Sequence, residues 1–366
     1  MSHNRDAALL AAKPWQDLPH STIFRLRCIE RIEETHDVVT FRFDAPGEPV
    51  RFSYKPGQFI SLLLEIGGEP HCRAYTISSS PSRPYSISIT VKRVTGGKVS
   101  NYLIDNLKPG YVMDAKGPAG GFNLVDIPAD RFLFLSAGCG ITPMFSMSRW
   151  LTDTRIGADI AFIHSAKTRD DIIFGPRLKA MAQNHRSFRL GYLLETGECP
   201  DWDFALALPG RLTAKALDLM VSDWRERTLY VCGPDGYMAA VAGMLTAAGF
   251  DMARFHQESF GAATAATGDE GADIGENKGE SKGFVLTIGN MLQPLGESGI
   301  LLDGIEALKL PIIAACRSGV CGACKCQVLE GEVERISEMT LTEDDKAKGM
   351  VLACSTRALS DVRLKL

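Results

Sequence analysis

The sequence predicts a multidomain chain: an antiparallel β-barrel, then an α/β domain built on a parallel sheet, then a small module that carries a cysteine cluster. Three observations predict it. From Thr22 to about Ala115, short period-2 runs are broken by Pro-Gly and Gly-Gly pairs. From Arg131 onward, apolar strand-length runs alternate with helical ones. Five of the ten cysteines crowd into the last 51 residues. A length of 366 residues suits two or three domains at roughly 100–200 residues each.

Composition excludes several classes. Lysine and arginine number 40 against 44 acidic residues, a net charge of −4. A nucleic-acid partner calls for a basic balance, so none is expected. No apolar run approaches the ~20 residues of a bilayer span, so no membrane association is expected. The apolar stretch Ala7 to Ala12 falls short of a signal core of ~7–15 residues, which predicts a cytoplasmic protein. In such reducing surroundings, clustered thiols point to a metal or redox site rather than to disulfides.

Each part follows from its pattern. Ile87, Ile89 and Val91 alternate with Ser86, Ser88, Thr90 and Lys92, the mark of a half-buried strand. Turns at Pro56-Gly57, Gly67-Gly68, Gly96-Gly97 and Pro109-Gly110 separate such runs, as a barrel or sandwich requires. Then come four buried-strand runs: FLFLS, ADIAFIH, FRLGYLL and TLYVC. Helices are expected to open at Thr142-Pro143, to run from about Pro176 to Gln183 and from Ala214 to Trp224, and to run from Pro234 to about Ala248. Strand–helix alternation means a parallel sheet covered on both faces. Residues 261–282 are small, acidic and nearly devoid of large apolar groups, a flexible linker. The expected division is a tail over 1–21, a barrel over 22–128, an α/β domain over 129–260, the linker, and a module over 283–366.

The chemistry-bearing motifs sit in order along these parts. Cys316, Cys321 and Cys324 have C-x4-C-x2-C spacing, and Cys354 stands alone downstream. That is the plant-type 2Fe-2S pattern, in which one tight loop supplies three of four thiolates. Gly319 and Gly322 let the loop wrap closely and aim N–H groups at sulfur. A structural zinc site would favour two C-x2-C pairs. Cys326 crowds Cys324 too closely to be a ligand and reads as a small buried residue. In the barrel region, Arg73 and Tyr75 share one face of a strand ahead of Thr76. A guanidinium suits a phosphate and a phenol ring suits a flat heterocycle. Gly138-Cys139-Gly140-Ile141-Thr142-Pro143 follows a buried strand and opens a helix. Its glycines admit a pyrophosphate, whose charge the helix start favours. Thr142 is placed to cap that helix and Pro143 to begin it. Cys139 reads as a space filler.

These motifs resemble those of the ferredoxin–NADP reductase family, and the terminal module resembles plant-type ferredoxins, which have a β-grasp fold. The stretch around Arg73, Tyr75 and Thr76 matches the family's R-x-Y-S/T flavin motif. The resemblance implies that Arg73 holds the FAD pyrophosphate, Tyr75 packs on the isoalloxazine, and Thr76 hydrogen-bonds near N5; FMN is the less favoured flavin. Gly97 and Ser100 match the second flavin element, G-x-x-S-x-x-L, and Lys92, which precedes them on the strand, is expected with them among the cofactor-binding residues. Gly138, Gly140 and Thr142 are implied to contact the nicotinamide dinucleotide. Cys232-Gly233-Pro234 matches the C-G-P element beside the nicotinamide, so Cys232 becomes a positioning group on the hydride path. Cys316, Cys321, Cys324 and Cys354 become the cluster ligands. Glu258-Ser259-Phe260 resembles an E-x-F element of the oxygenase-reductase branch. The strand end before Lys167 and Arg169 lacks an acidic partner for a ribose 2′-OH, so NAD(P)H is left open, with NADH favoured.

Together the parts imply an electron-transfer reductase, an oxidoreductase that passes electrons from NADH through FAD and the cluster to a protein acceptor. The cluster loop, AGCGITPMFSMSRWL and MTLTEDDKAKGMVLACS resemble NADH oxidoreductases that serve the hybrid-cluster protein, which makes that the expected acceptor. KPGQF, RAYTISSSP, VKRVTGGKVSN and GFDMARFHQESFGA resemble reductase components of Rieske-type oxygenases acting on glycine betaine and similar amines, the alternative. A redox sensor would not need a nicotinamide site, and a self-contained oxidase would consume oxygen without a protein partner.

Overall fold

The computed structural model describes residues 13–14, 23–47, 50–258, 284–296, 298–308, 310, 312, 319, 324–338 and 341–366. The expected linker 261–282 lies outside them, as does most of the expected tail. Lys13–Pro14 runs parallel to Val50–Arg51. The chain forms two compact units, Met1–Ser259 and Phe260–Leu366.

Six strands open the first unit: β1 (Phe24–Thr35), β2 (Val38–Asp44), β3 (Phe59–Ile66), β4 (Glu69–Thr76), β5 (Ile87–Lys92) and β6 (Val112–Ala119). They pair antiparallel in the order β4-β3-β6-β1-β2-β5. A bridge between Ile77 and Ile89 joins the two edges and closes the barrel. The alternation predicted for β5 holds: Ile87, Ile89 and Val91 enter the barrel core with Val39, Phe41 and Phe43. Burying each such phenylalanine contributes roughly 1.5–3 kcal/mol. Helix α1 (Lys98–Asn106) packs Val99, Leu103 and Ile104 on that core.

The rest of the unit is a six-stranded parallel sheet: β7 (Arg131–Ala137), β8 (Asp159–Ala166), β9 (Phe188–Leu194), β10 (Leu206–Pro209), β11 (Thr228–Cys232) and β12 (Phe255–Glu258). Their order is β10-β9-β8-β7-β11-β12, so the winding reverses at β7. Ligands of open α/β sheets settle at the carboxyl ends of the strands beside such a reversal. The four predicted runs are the central strands. The edges β10 and β12 are four residues each, too short for a pattern to reveal.

Helix starts depart from expectation. Helix α2 (Ile141–Thr154) begins after Gly140, without a side-chain cap. Thr142 Oγ1 instead donates to the Cys139 carbonyl at 3.0 Å. Pro143 is the third helical residue, where an absent N–H still costs nothing. Helix α3 spans Gly175–Asn184, and α4 (Ala214–Met220) stops short of Trp224, which opens a separate turn. Helix α5 (Asp235–Ala247) closes the set. At the opposite end of the sheet, fully buried Arg227 reaches Asp159 at 2.8 Å, Asp223 at 2.7 Å and the Phe132 carbonyl at 3.0 Å.

The second unit carries β13 (Val285–Ile288), β14 (Met291–Pro294), β15 (Lys325–Glu330), β16 (Val333–Arg335), β17 (Met350–Leu352), β18 (Thr356–Ala358) and β19 (Val362–Lys365). The main sheet runs β14-β13-β19-β15-β17, and β16 pairs with β18. Only β13 and β19 are parallel within that sheet. Helix α6 (Leu301–Ala307) lies against the sheet so tightly that a Cβ on Gly304 would stand 2.6 Å from Leu295 and 2.8 Å from Leu286. A mixed sheet packed by α6, with a further short helix over Glu343–Ala347, is the expected β-grasp.

Candidate electron-transfer sites

Strand β4 presents the flavin motif. Tyr75 is half-buried against the barrel core, and burial pushes its phenol up. Arg73 donates to the Cys72 carbonyl at 2.8 Å. Ile77 points into the core, which turns Thr76 outward, where its Oγ1 is buried with no hydrogen-bond partner. A buried orphan hydroxyl costs about 1–3 kcal/mol unless a ligand answers it. An acceptor or donor at the rim of a flavin ring answers it, so the residues present fit that group.

A cationic cluster gathers where α1 begins. Burial, then the charges of Lys98 and Arg73, hold the His71 imidazole below its usual range, and its Nε2 is buried without a partner. Helix α1 starts at Gly97 with no side-chain cap, and Ser100 Oγ accepts from the Val94 N–H at 3.2 Å. Open N–H groups at that start, with Arg73 and Lys98 beside them, suit a phosphate. His71 and Lys98 were not singled out from sequence; they meet only where the strand that carries His71 runs past the start of α1. Lys92 is placed differently: its Nζ meets Asp37 Oδ2 at 2.9 Å.

The dinucleotide motifs meet at the winding reversal. Gly140 lies so close to the C-G-P turn that a Cβ there would stand 2.3 Å from the Cys232 carbonyl oxygen and 2.5 Å from Gly233 N. Gly138, at φ +52°, has open space around it. Pro234 serves as the N-cap of α5. Burial, then the nearby Glu258 carboxylate, pushes the Cys232 thiol well above its usual range, so it stays protonated. Cys139 is more than filler: its thiol donates to the Thr90 carbonyl of the barrel at 3.4 Å, and burial raises it to about 11. One ladder row joins Tyr192, His164, Ser136, Cys232 and Glu258 across the sheet. Ser136 Oγ lies 2.9 Å from His164 Nδ1, and burial drops His164 to about 3. Lys167 and Arg169 are exposed, with Arg169 5.8 Å over the Trp202 ring. Ser259 and Phe260 lie outside the described residues.

In the second unit, Cys324 Sγ and Cys354 Sγ are 3.2 Å apart. The Gly319 N–H donates to Cys354 Sγ at 3.2 Å, and the Cys354 N–H to Cys324 Sγ at 3.5 Å. Such dipoles favour thiolate sulfur. Gly319 sits at φ +74°, and a Cβ there would fall 2.3 Å from Ser355 Oγ, so only glycine brings this N–H to the sulfur. Two thiols converging under N–H donors fit an iron–sulfur cluster. Cys316 and Cys321 lie outside the described residues. Cys326 is fully buried and pushed up to about 12 by burial, then by Cys324.

Three family models match the chain: an oxidoreductase FAD-binding domain over residues 25–124, an oxidoreductase NAD-binding domain over 134–243, and a 2Fe-2S iron–sulfur cluster binding domain over 295–359. A glycine betaine monooxygenase reductase subunit of Chromohalobacter salexigens is 43% identical over 93% of this chain and 94% of its own length. The chain belongs to the ferredoxin–NADP reductase family, in its form with a fused 2Fe-2S ferredoxin domain. It is an NAD(P)H-dependent flavin and iron–sulfur oxidoreductase. The NADH oxidoreductase HCR of Escherichia coli is 34% identical over 86% of this chain and 89% of its own length. Phthalate dioxygenase reductase shares the fold, with a TM-score of 0.59 and 22% identity over 94% of this chain and 98% of that one. These relatives favour the alternative over the hybrid-cluster expectation, because the oxygenase reductase is more similar over more of the chain. Among the described residues, no helix is long and apolar enough to cross a membrane.

Proposed function

We propose that the chain is the reductase subunit of a Rieske-type oxygenase acting on glycine betaine or a related quaternary amine. The observation that carries this is the 43% identity along nearly the whole chain to a glycine betaine monooxygenase reductase subunit. When bound, a flavin would supply two-electron acceptance and one-electron release, and a cluster one-electron carriage. The protein's residues bind and orient. Arg73, His71 and Lys98, with the open N–H groups after Gly97 and near Ser100, hold the pyrophosphate; Tyr75 walls the ring, and Thr76 meets its polar edge. Lys92 acts through Asp37 rather than by direct contact. Gly138 and Gly140 admit the dinucleotide beside Thr142. The turn Cys232-Gly233-Pro234 positions the nicotinamide, with Cys232 as a neutral wall. Cys316, Cys321, Cys324 and Cys354 hold the cluster.

The test is stopped-flow reduction of two purified acceptors by the NADH-reduced holoprotein: the Rieske oxygenase of a betaine-demethylating system and a hybrid-cluster protein. Faster reduction of the oxygenase, with formaldehyde formed from glycine betaine, is expected. Faster reduction of the hybrid-cluster protein overturns the assignment.

A further inference from the structure

The strand that carries the flavin motif runs on past Thr76 as a short segment laid along helix α2. The barrel pins both ends of that segment. Ile77 bridges Ile89, the Ser78 N–H donates to the Ser88 carbonyl at 2.8 Å, and the Pro84 carbonyl accepts from the Phe52 N–H at 2.7 Å. Between those ends the segment grips α2 twice. Ser146 Oγ donates to the Ser79 carbonyl at 2.6 Å. Ser82 Oγ donates to Asp153 Oδ2, and Arg83 meets both carboxylate oxygens at 3.1 Å through Nε and Nη2.

Ser146 is fully buried in the middle of α2, where serine is a weak helix former. A hydroxyl inside a helix ordinarily turns back to the carbonyl four residues earlier, as Thr152 does toward Ser148 at 3.0 Å. Ser146 instead bonds across to the barrel. Asp153 lies seven positions on, two turns along the same face of α2 and roughly 10 Å away. Burial works against ionisation of its carboxyl, yet the Arg83 and Ser82 hydrogen bonds hold it below the usual carboxylate range. One grip would leave α2 free to pivot, whereas two on one face fix its direction. The Cys139 thiol on the Thr90 carbonyl adds only a weak contact at the loop itself. Helix α2 opens directly after Gly140, and Ser79 is three residues from Thr76. The two grips thus tie the start of the dinucleotide helix to the end of the flavin motif.

We propose that Ser146 and Asp153 are positioning residues for hydride transfer, holding α2 in register with the flavin-motif strand. This rests on the FAD and dinucleotide assignments. Each of those sites is built within its own part of the unit: the phosphate site by β4 and α1, the crevice by the Gly140 loop and the Cys232 turn. Loosening α2 therefore leaves both affinities in place and spoils only the alignment between the two sites. Hydride transfer oxidises NADH to NAD⁺ and reduces the flavin by two electrons, and a misplacement of ~1 Å costs it on the order of 10²-fold.

The test uses the full holoprotein, loaded with FAD and mixed anaerobically with NADH in a stopped-flow instrument. Ser146→Ala combined with Asp153→Ala should slow flavin bleaching at saturating NADH by on the order of 10²-fold. The dissociation constants of NADH and FAD should stay unchanged, and the isotope effect with NADH deuterated at the transferred position should grow. Long-wavelength absorbance of NAD⁺ against dithionite-reduced flavin reads ring contact without turnover, and it should weaken in the same variant. Asp153→Ala alone should slow bleaching by roughly tenfold, and Asp153→Glu, which keeps a carboxylate for Arg83, should stay within about threefold of wild type. A latch that only adds stability predicts a lower melting temperature with the bleaching rate and isotope effect unmoved, and that result overturns the proposal. A glutamate variant as slow as alanine overturns it too. Failure of the cofactor assignments shows itself separately: wild-type protein loaded with FAD would not bleach on adding NADH.

Discussion

Alanine at Gly140 probes whether the glycine-rich loop and the C-G-P turn form one crevice. The new Cβ would stand 2.3 Å from the Cys232 carbonyl oxygen, 2.4 Å from its carbonyl carbon and 2.5 Å from Gly233 N. All three are backbone atoms, so no rotamer change relieves the clash. Contacts become comfortable near ~3.5 Å, so one motif must withdraw by about 1 Å. A displacement of ~1 Å at a reacting centre costs on the order of 10²-fold. The expected result is a fall of about that size in kcat/KM for NADH, about 2.7 kcal/mol of transition-state stabilisation. The assay is NADH-ferricyanide turnover, with flavin content and dithionite bleaching as checks that the rest of the molecule stands. Gly138→Ala makes the comparison. Nothing in the protein lies within 4 Å of its missing Cβ, so its penalty is the left-handed backbone, about 1–2 kcal/mol, plus whatever the dinucleotide itself meets. A flavin-loaded Gly140→Ala protein with kcat/KM within about threefold of wild type would refute the shared crevice.

Three further outcomes are expected. Gly319→Ala, whose Cβ would press on Ser355 Oγ at 2.3 Å, should lose cluster absorbance while the flavin still bleaches with NADH; retained iron and acid-labile sulfide would contradict the cradle. Lys98→Met should raise the FAD dissociation constant by roughly tenfold, the scale of one charged hydrogen bond, measured by fluorescence on titrating apoprotein; an unchanged constant removes Lys98 from the phosphate site. Because His164 titrates near 3 when folded and near 6.5 when unfolded, its contribution is fully present above pH 6.5 and drains away as pH falls toward 3. At pH 5 the loss is about 2 kcal/mol, read as a lower urea midpoint by tryptophan fluorescence, and His164→Asn should flatten that slope.

How much of this was legible in sequence depended on whether the signal was local. The turn pairs and the Ile87–Val91 alternation marked the barrel because period and punctuation are local properties. The four central strands showed because apolar runs bounded by glycine and proline are self-evident. Strands β10 and β12 did not, since four residues at a sheet edge take their conformation from a neighbour. Thr142 was assigned as a cap because its residue type suits one, yet the uncapped start of α2 leaves its N–H groups to a ligand. Cys139 read as filler because nothing in its own segment says that Thr90 lies against it. His71 and Lys98 escaped notice for the same reason: they are 27 positions apart and meet only when β4 runs past α1.

Several polar residues share one location, where the Cys139 loop of the parallel sheet meets the barrel at Thr90. On the barrel side stand Thr76, Thr90 and Thr40, with Lys92 paired to Asp37. On the sheet side stand His164, Ser136, Cys232 and Glu258 in one ladder row. The charge of Lys92 reaches His164, and Cys139 lies within electrostatic reach of both Tyr75 and Cys232, so the two rows close on a single space. Apolar residues would seal such a seam more cheaply than buried hydroxyls, thiols and an imidazole. Hydride transfer gives a reason for the polar choice. A nicotinamide seated at the carboxyl ends of the strands would need a dry, uncharged wall beside its ring. The Cys232 thiol, which burial and then the Glu258 carboxylate hold protonated, would supply that wall.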